Sequence, residues 1–399
     1  MYSSDFPKWS TAKTQKSMES VEGEEDQCNQ NEQLAKDSIT NGQHPLQHHH
    51  HYHHHHQFVR KVSKSLVLFS ALALAIFVVY HSSKLPASLH NSFSSSMPKE
   101  LVELSKVMEK TAMKDKTVVI TTLNEAWAVP NSIFDLFLES FKIGNQTKWL
   151  LNHLVVVALD QKAYDQCLKV HPNCYKLKTE GIDFSSEAYF MTKDYLKMMW
   201  RRILFLQTVL DLGYNFIFTD ADIMWFRDPF PHFHADADFQ IACDYFRGNS
   251  SNLNNSPNGG FTYVRSNQKT RQFYRFWYVS RNLYPNNHDQ DVLNRIKHDP
   301  FLKHIGLQIR FLETKFFGGF CQRSEDFNLV CTMHANCCVG LDNKIYDLKI
   351  MLDDWRKYMS KSRNGTSLLE KSSWNVPQHC GPASFRPRRM PKNGTQGGT

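Results

Sequence analysis

Asp220 and Asp222 stand one residue apart, directly after the apolar run at residues 216–218 and before Ile223-Met224-Trp225. In extended chain, residues i and i+2 face the same way, so a strand running into Thr219-Asp220-Ala221-Asp222 turns two carboxylates to one side. Two like charges side by side are unfavourable unless a cation sits between them. A hard divalent ion takes such oxygen ligands and keeps positions open for phosphate. Asp-x-Asp is common by chance, and a solvated pair at a turn needs no metal. The apolar strand before the pair and Trp225-Phe226-Arg227-Asp228-Pro229-Phe230 after it favour the metal.

Other clusters have a plain reading beside a chemical one. Asn258-Gly259-Gly260 reads as a turn; its glycines would let backbone come close to a ligand, or make an ordinary hairpin. His288-Asp289-Gln290-Asp291 opens a helical pattern, so an N-cap cluster is its simplest reading. A lone His such as His334 is more often structural than a ligand. Cys331, Cys337 and Cys338 with His334 match no common zinc spacing. The aromatic run at residues 273–278 has the helical spacing of a core face, with an acceptor groove as the alternative.

The elements that must position these residues alternate. Residues 117–123 (TVVITTL) and 154–159 (LVVVAL) are short β-branched runs, read as buried strands. Residues 216–219, 239–242 and 261–264 read as further strands. Helical spacing follows Pro130 through Phe141 and covers 161–170, 194–212 with Gly213 as its C-cap, 267–284 and 289–297. The alternation predicts an α/β fold, a mostly parallel sheet with helices on both faces. Ligands of such sheets sit outside the carboxyl ends of the strands, where Asp220 and Asp222 fall.

The run LGYNFIFTDADIMWFRDPF at residues 212–230 resembles the plant nucleotide-diphospho-sugar transferases of glycosyltransferase family 77, which include pectin xylosyltransferases and extensin arabinosyltransferases. The resemblance spans roughly residues 116–360. It implies a GT-A-like fold, Mn2+ or Mg2+ as cofactor, and retaining transfer of a sugar, a pentose or similar, from a nucleoside diphosphate donor to a cell-wall polysaccharide or glycoprotein. Carried over by position, Asp220 and Asp222 match the pair that holds metal and diphosphate, with Ala221 between them. His334 resembles the late His that completes the metal shell, and Lys344 a contact to the diphosphate. Asn258, Gly259 and Gly260 resemble the Asn-x-Gly turn at the donor sugar. Asp289 and Gln290, with Asp291, resemble the Asp-Gln motif at the reacting face; as nucleophile either stands ahead of Glu313. Arg202, or its neighbour Arg201, resembles a donor-binding Arg. Thr122, Asn124 and Glu125 are candidates for the nucleotide edge.

The rest of the 399 residues sets the context. Residues 1–64 read as a cytosolic disordered tail, polar and without apolar periodicity, with eight His at 48–51 and 53–56. That tract reads as low-complexity sequence, with metal binding as the alternative. Residues 65–83 read as a transmembrane signal anchor: 66–80 carry no charge, Arg60, Lys61 and Lys64 precede them, and only Lys84 follows closely. The positive-inside rule then leaves the C-terminal bulk across the membrane, as a single-pass type II protein of the Golgi with a lumenal catalytic domain. Eight of the nine Cys and five Asn-x-Ser/Thr sequons lie beyond the anchor, which suits an oxidising lumen; eight cysteines allow 105 pairings. Residues 84–115 read as a stem, 116–360 as the catalytic domain and 361–399 as a flexible tail.

A net charge of +8, from 47 Lys and Arg against 39 Asp and Glu, is not the dense basic stripe of a nucleic-acid binder. Two other readings rival the transferase: a non-catalytic binding or scaffold protein of the same fold, and a haloacid dehalogenase-like phosphatase. The phosphatase usually has Thr or Val next but one after its Asp-x-Asp, where this chain has Ile223-Met224.

Overall fold

In the computed structural model the described residues are 98–179, 181–182, 184–185, 191–363 and 372–381. The chain order is α1 (Lys99–Thr111), β1 (Thr117–Leu123), α2 (Glu125–Ala128), α3 (Ile133–Ile143), β2 (Leu154–Ala158), α4 (Gln161–Val170), β3 (Cys174–Lys176), α5 (Lys193–Asp211), β4 (Asn215–Thr219) and β5 (Ile223–Trp225). There follow β6 (Phe239–Tyr245), β7 (Ser256–Val264), α6 (Gln268–Ser280), α7 (Asp289–Ile296), α8 (Pro300–His304), β8 (Ile309–Phe311), β9 (Phe317–Gly319), β10 (Thr332–His334) and α9 (Leu341–Arg363).

Seven strands form one sheet in the order β3-β2-β1-β4-β7-β6-β8. The first four are mutually parallel, β7 runs antiparallel to β4 and β6, and β8 is parallel to β6. The sheet is thus mostly parallel, with helices on both faces. Side chains alternate between the faces: Val119, Leu154, Val156 and Ile217 enter one core, Val118, Val155, Phe216 and Phe218 the other. Both faces are covered, so the strands read as unbroken apolar runs. A second sheet, β5-β10-β9, is built from three-residue strands.

The helices begin and end where side chains satisfy free backbone groups. Asp160 caps α4, Thr192 caps α5, and Asn267 forms a capping box on α6. Gly213, at φ +85°, closes α5 by donating to the Leu210 carbonyl. The aromatic run on α6 is core: Phe273, Tyr274 and Trp277 are buried.

Four expectations change. The segment bearing Asp220 and Asp222 is a turn between β4 and β5, closed by Ile223 N–H donating to the Asp220 carbonyl, and not extended chain. Asn258-Gly259-Gly260 lies within β7 and not in a hairpin turn; the register against β6 jumps between Ile241–Thr262 and Ala242–Asn258, leaving Gly259 and Gly260 on a bulge. Part of the expected stem is α1, which packs Leu104 and Met108 into the core. Part of the expected tail is ordered too. Trp374 and Val376 are buried, Cys380 is disulfide-bonded to Cys338, and Asp347 accepts from the N–H groups of Gln378, His379 and Cys380.

The remaining disulfides among the described residues are Cys167–Cys174 and Cys321–Cys337, while Cys243 and Cys331 are free and buried. With Cys337 and Cys338 both in disulfides, the zinc group is excluded. The anchor at 65–83 and the His tract lie outside the described residues. Among the described residues no helix is long and apolar enough to cross a membrane.

Candidate active site

A cavity of about 360 Å³ opens at the carboxyl ends of β1 and β4. Thr122, Asn124, Arg202, Asp220, Ala221, Asp222, Asn258, Gly259, Gly260, Asp289, Gln290, His334 and Lys344 all line it. Residues up to 222 positions apart in the sequence, Thr122 to Lys344, therefore meet at one place.

Two charge networks meet there. Arg202, on α5, is buried and clamps two carboxylates: Nη1 donates to Asp220 Oδ1 at 2.9 Å and Nη2 to Asp289 Oδ2 at 2.6 Å. Its guanidinium lies 4.7 Å from the Phe218 ring centre. Burial alone would lower its pKa; Asp289 and Asp220 reverse that and raise it, so it stays charged. Burial likewise would raise Asp289, but Arg202 and His288 bring its carboxyl down to about 2.

The second network surrounds Asp222, which is 1% exposed. Lys344 Nζ, from the first turn of α9, donates to Asp222 Oδ2 at 2.5 Å, and His334 Nε2 lies 3.2 Å from Asp222 Oδ1. Burial would raise this carboxyl as well; the Lys344 ammonium, joined by His334 only when its ring is charged, outweighs it and holds Asp222 well below the usual carboxylate range. Asp220 is pushed the other way, by burial and by the neighbouring Asp222 charge against the pull of Arg202.

The proton inventory around His334 tests whether a metal fits. Asn258 Nδ2 donates to Asp244 Oδ1, and Asn258 Oδ1 accepts from Gly260 N–H, which fixes the carboxamide's orientation. His334 Nδ1, 3.1 Å from Asn258 Oδ1, must then carry its proton. With Nδ1 carrying that proton, the neutral form of the ring sets its Nε2 lone pair 3.2 Å from Asp222 Oδ1, a buried oxygen with no hydrogen-bond donor. Two electron-pair donors facing each other is the arrangement a cation completes. One ligand atom each from Asp220, Asp222 and His334 lies within 4.8 Å of the others. That is near what one ion at about 2.0–2.2 Å from each requires. The residues fit a divalent ion.

Gly260 permits this closeness. A Cβ there would lie 2.5 Å from His334 Cε1 and 2.8 Å from Asp220 Oδ2. Beside it, Gln290 spans the opposite wall. Its Oε1 accepts from Gly259 N–H at 2.8 Å and its Nε2 donates to Asp244 Oδ2 at 3.0 Å.

Some expected residues stand elsewhere. Asp291 is absent from the cavity wall and faces His288 Nε2 at 3.4 Å, because α7 turns it away from Asp289 and Gln290. Arg201 donates to Thr179 Oγ1 and the Lys178 carbonyl, so Arg202 is the cavity arginine. Glu125 pairs with Lys162, and Glu313 with Lys315. His288, not Asp289, is the N-cap of α7, and Asn124 caps α2 while lining the cavity.

Sequence reasoning missed Asp244 and Asn336. Asp244 accepts from Asn258, Asn336 and Gln290. Its signal was available: it is an acid at the end of the apolar strand that begins at Phe239, as Asp220 is at the end of β4. Asn336 also accepts from Cys321 N–H, which ties Asp244 to the disulfide at Cys337.

Residues 149–348 match the family model described as nucleotide-diphospho-sugar transferase. An uncharacterised Arabidopsis thaliana protein is 53% identical over 282 residues, 70% of this chain and 74% of its own length. The UDP-D-xylose:L-fucose alpha-1,3-D-xylosyltransferase 3 of the same plant is 23% identical over 261 residues, 59% of this chain and 66% of that protein. Among solved structures, the galactosyltransferase LgtC in complex with donor and acceptor sugar analogues gives a TM-score of 0.36 at 11% identity, covering 63% of this chain and 97% of the other. The family match spans the segment that carries Arg202, the Asp220–Asp222 turn, Asp289, His334 and Lys344, and it sets the phosphatase reading aside: this chain belongs to the nucleotide-diphospho-sugar transferase family and is a glycosyltransferase.

Proposed function

We propose that the enzyme transfers a pentose or similar sugar, with retention, from a nucleoside diphosphate donor to a cell-wall polysaccharide or glycoprotein, using Mn2+ or Mg2+ in a GT-A-like site. The observation that carries this is the buried Asp222 Oδ1 set against the lone pair of His334 Nε2. The xylosyltransferase relative is named for a UDP-pentose donor, which supports the choice of sugar.

When bound, the divalent ion supplies a Lewis acid that neutralises a departing diphosphate. Lys344 adds an ammonium at the same end of the cavity. Arg202 orients Asp220 and Asp289 from behind. Asp289, held at low basicity by that pairing, suits charge stabilisation of a sugar carbon turning positive better than bond formation. Gln290 fixes the Gly259 backbone that forms the wall beside it.

The proposed setting is the Golgi membrane, single-pass type II, with the catalytic domain lumenal. Three disulfides among the described residues support an oxidising compartment.

The test is a panel of nucleotide sugars offered to the purified full chain with and without Mn2+, reading donor hydrolysis and transfer. Turnover of a narrow donor set only with metal is expected, and Asp222→Asn should lower it by about 10²–10³-fold. Full turnover by that variant, or turnover indifferent to chelator, would remove the metal from the reaction. Donor binding with neither transfer nor hydrolysis would favour a scaffold role.

A further inference from the structure

The two oxygens of Asp222 are treated differently. Oδ1 faces a lone pair and has no donor; Oδ2 holds the ammonium of Lys344. Around the cavity four carboxylates, Asp220, Asp222, Asp244 and Asp289, face the two cationic side chains Arg202 and Lys344.

Those cations are not alike. Arg202 is buried, engaged at both ends of its planar fork and seated against Phe218. Lys344 is 17% exposed, lines the cavity, and among the described residues has no acidic partner but Asp222. Its ammonium also lies 5.4 Å from the Trp127 ring centre. A flexible four-carbon stem carrying a point charge can swing where a clamped guanidinium cannot.

We propose that Lys344 is a resident counter-cation of Asp222 which the divalent ion displaces toward the donor diphosphate, so that metal and nucleotide load cooperatively. This rests on the metal reading above. A dication on Asp222 Oδ1 and an ammonium on Oδ2 repel each other across one carboxylate. Without nucleotide the other cavity acids are already engaged, Asp220 and Asp289 by Arg202 and Asp244 by three amide donors, so the ammonium stays on Asp222 and the ion must compete with it. When a diphosphate arrives, the ammonium gains an anionic partner and the competition ends. Coupling of this kind is reciprocal: nucleotide tightens metal as much as metal tightens nucleotide.

The experiment is calorimetric titration of the purified full chain with Mn2+, alone and with UDP, with GDP in a parallel arm. Lys344→Met keeps the length of the stem and removes its charge. It should bind Mn2+ roughly tenfold more tightly than the wild type without nucleotide, and UDP or GDP roughly tenfold more weakly once Mn2+ is saturating. Lys344→Arg should stay near the wild type without nucleotide, and His334→Ala should weaken Mn2+ in every condition, which separates a ligand from a competitor. Lys344→Gln serves the same comparison if the Met variant is poorly folded. Unchanged or weaker nucleotide-free Mn2+ binding in the charge-removed variant overturns the inference and leaves the metal site standing. So does a wild-type Mn2+ affinity indifferent to both nucleotides. A wild type that binds no Mn2+ in any condition overturns the metal reading itself.

Discussion

At the α7 end of the cavity every polar contact is closed, and at the β10 end one is left open. Arg202 uses both ends of its fork, Gln290 uses both ends of its carboxamide, and Asp244 collects three amide donors. Opposite them, Asp222 Oδ1 has no donor and meets a histidine lone pair. A closed network is oriented before any ligand arrives, which is what electrostatic catalysis needs. An open one at equal depth carries an unmet demand for positive charge. The contrast separates the part of the site that holds its shape alone from the part that a cation must finish.

The contrast breaks most severely at Arg202, because the clamp serves both ends. Arg202→Met would leave the buried Asp289 and the half-buried Asp220 without their shared cation. Removing one partner of a buried ion pair costs about 3–5 kcal/mol. Urea unfolding should show a loss of that size, whereas a loss under about 1 kcal/mol would mean that water or a rearranged side chain replaces the guanidinium.

A smaller effect is expected at Gly260, which sharpens the comparison by acting on the open end. The added methyl of Gly260→Ala meets His334 and Asp220, and overpacking of this sort costs about 1–3 kcal/mol. Because the displaced groups are the proposed ligands, Mn2+ affinity should fall by about 10–100-fold. If melting drops while Mn2+ affinity holds, the tight packing around Gly260 serves the fold and not the ion.

The two ends were unequally legible in the sequence. Asp220 and Asp222 announce themselves because an apolar strand runs straight into them, and strand ends of a parallel sheet face the ligand. The alternation of β-branched runs with 3.6-residue spacing gives β1, β2, β4 and their helices for the same reason: both sheet faces are buried. The second sheet left little trace, since β5, β9 and β10 are three residues each, too short for periodicity to register. His334 sits on one of those strands and stood out only by family resemblance. Asn258-Gly259-Gly260 looked like a turn because its glycines signal close approach, and close approach occurs here on a bulge of β7. The ordering of residues 374–380 depends on Asp347 and Cys338, contacts between distant segments that no local pattern records.

Asp244 belongs to the closed end, and changing it tests whether that closure bears on catalysis. As a carboxylate it accepts from Asn258 and Asn336 through Oδ1 and from Gln290 through Oδ2. Asp244→Asn preserves the shape but can accept through one atom only. Its new NH2 group would face either the Gln290 donor or the two Asn donors. The cheaper arrangement turns the NH2 toward Gln290, setting two donors against each other at a cost of about 1–3 kcal/mol. Gln290 is then driven to flip or swing away, and the Gly259 N–H loses its acceptor. Asn258 stays in place, so the metal end is untouched. The expected result is a fall in kcat of roughly tenfold, from 1.4 kcal/mol per decade, with Mn2+ affinity unchanged. If Mn2+ affinity falls together with kcat, the two ends are one network, and the distinction between a closed side and an open side does not hold.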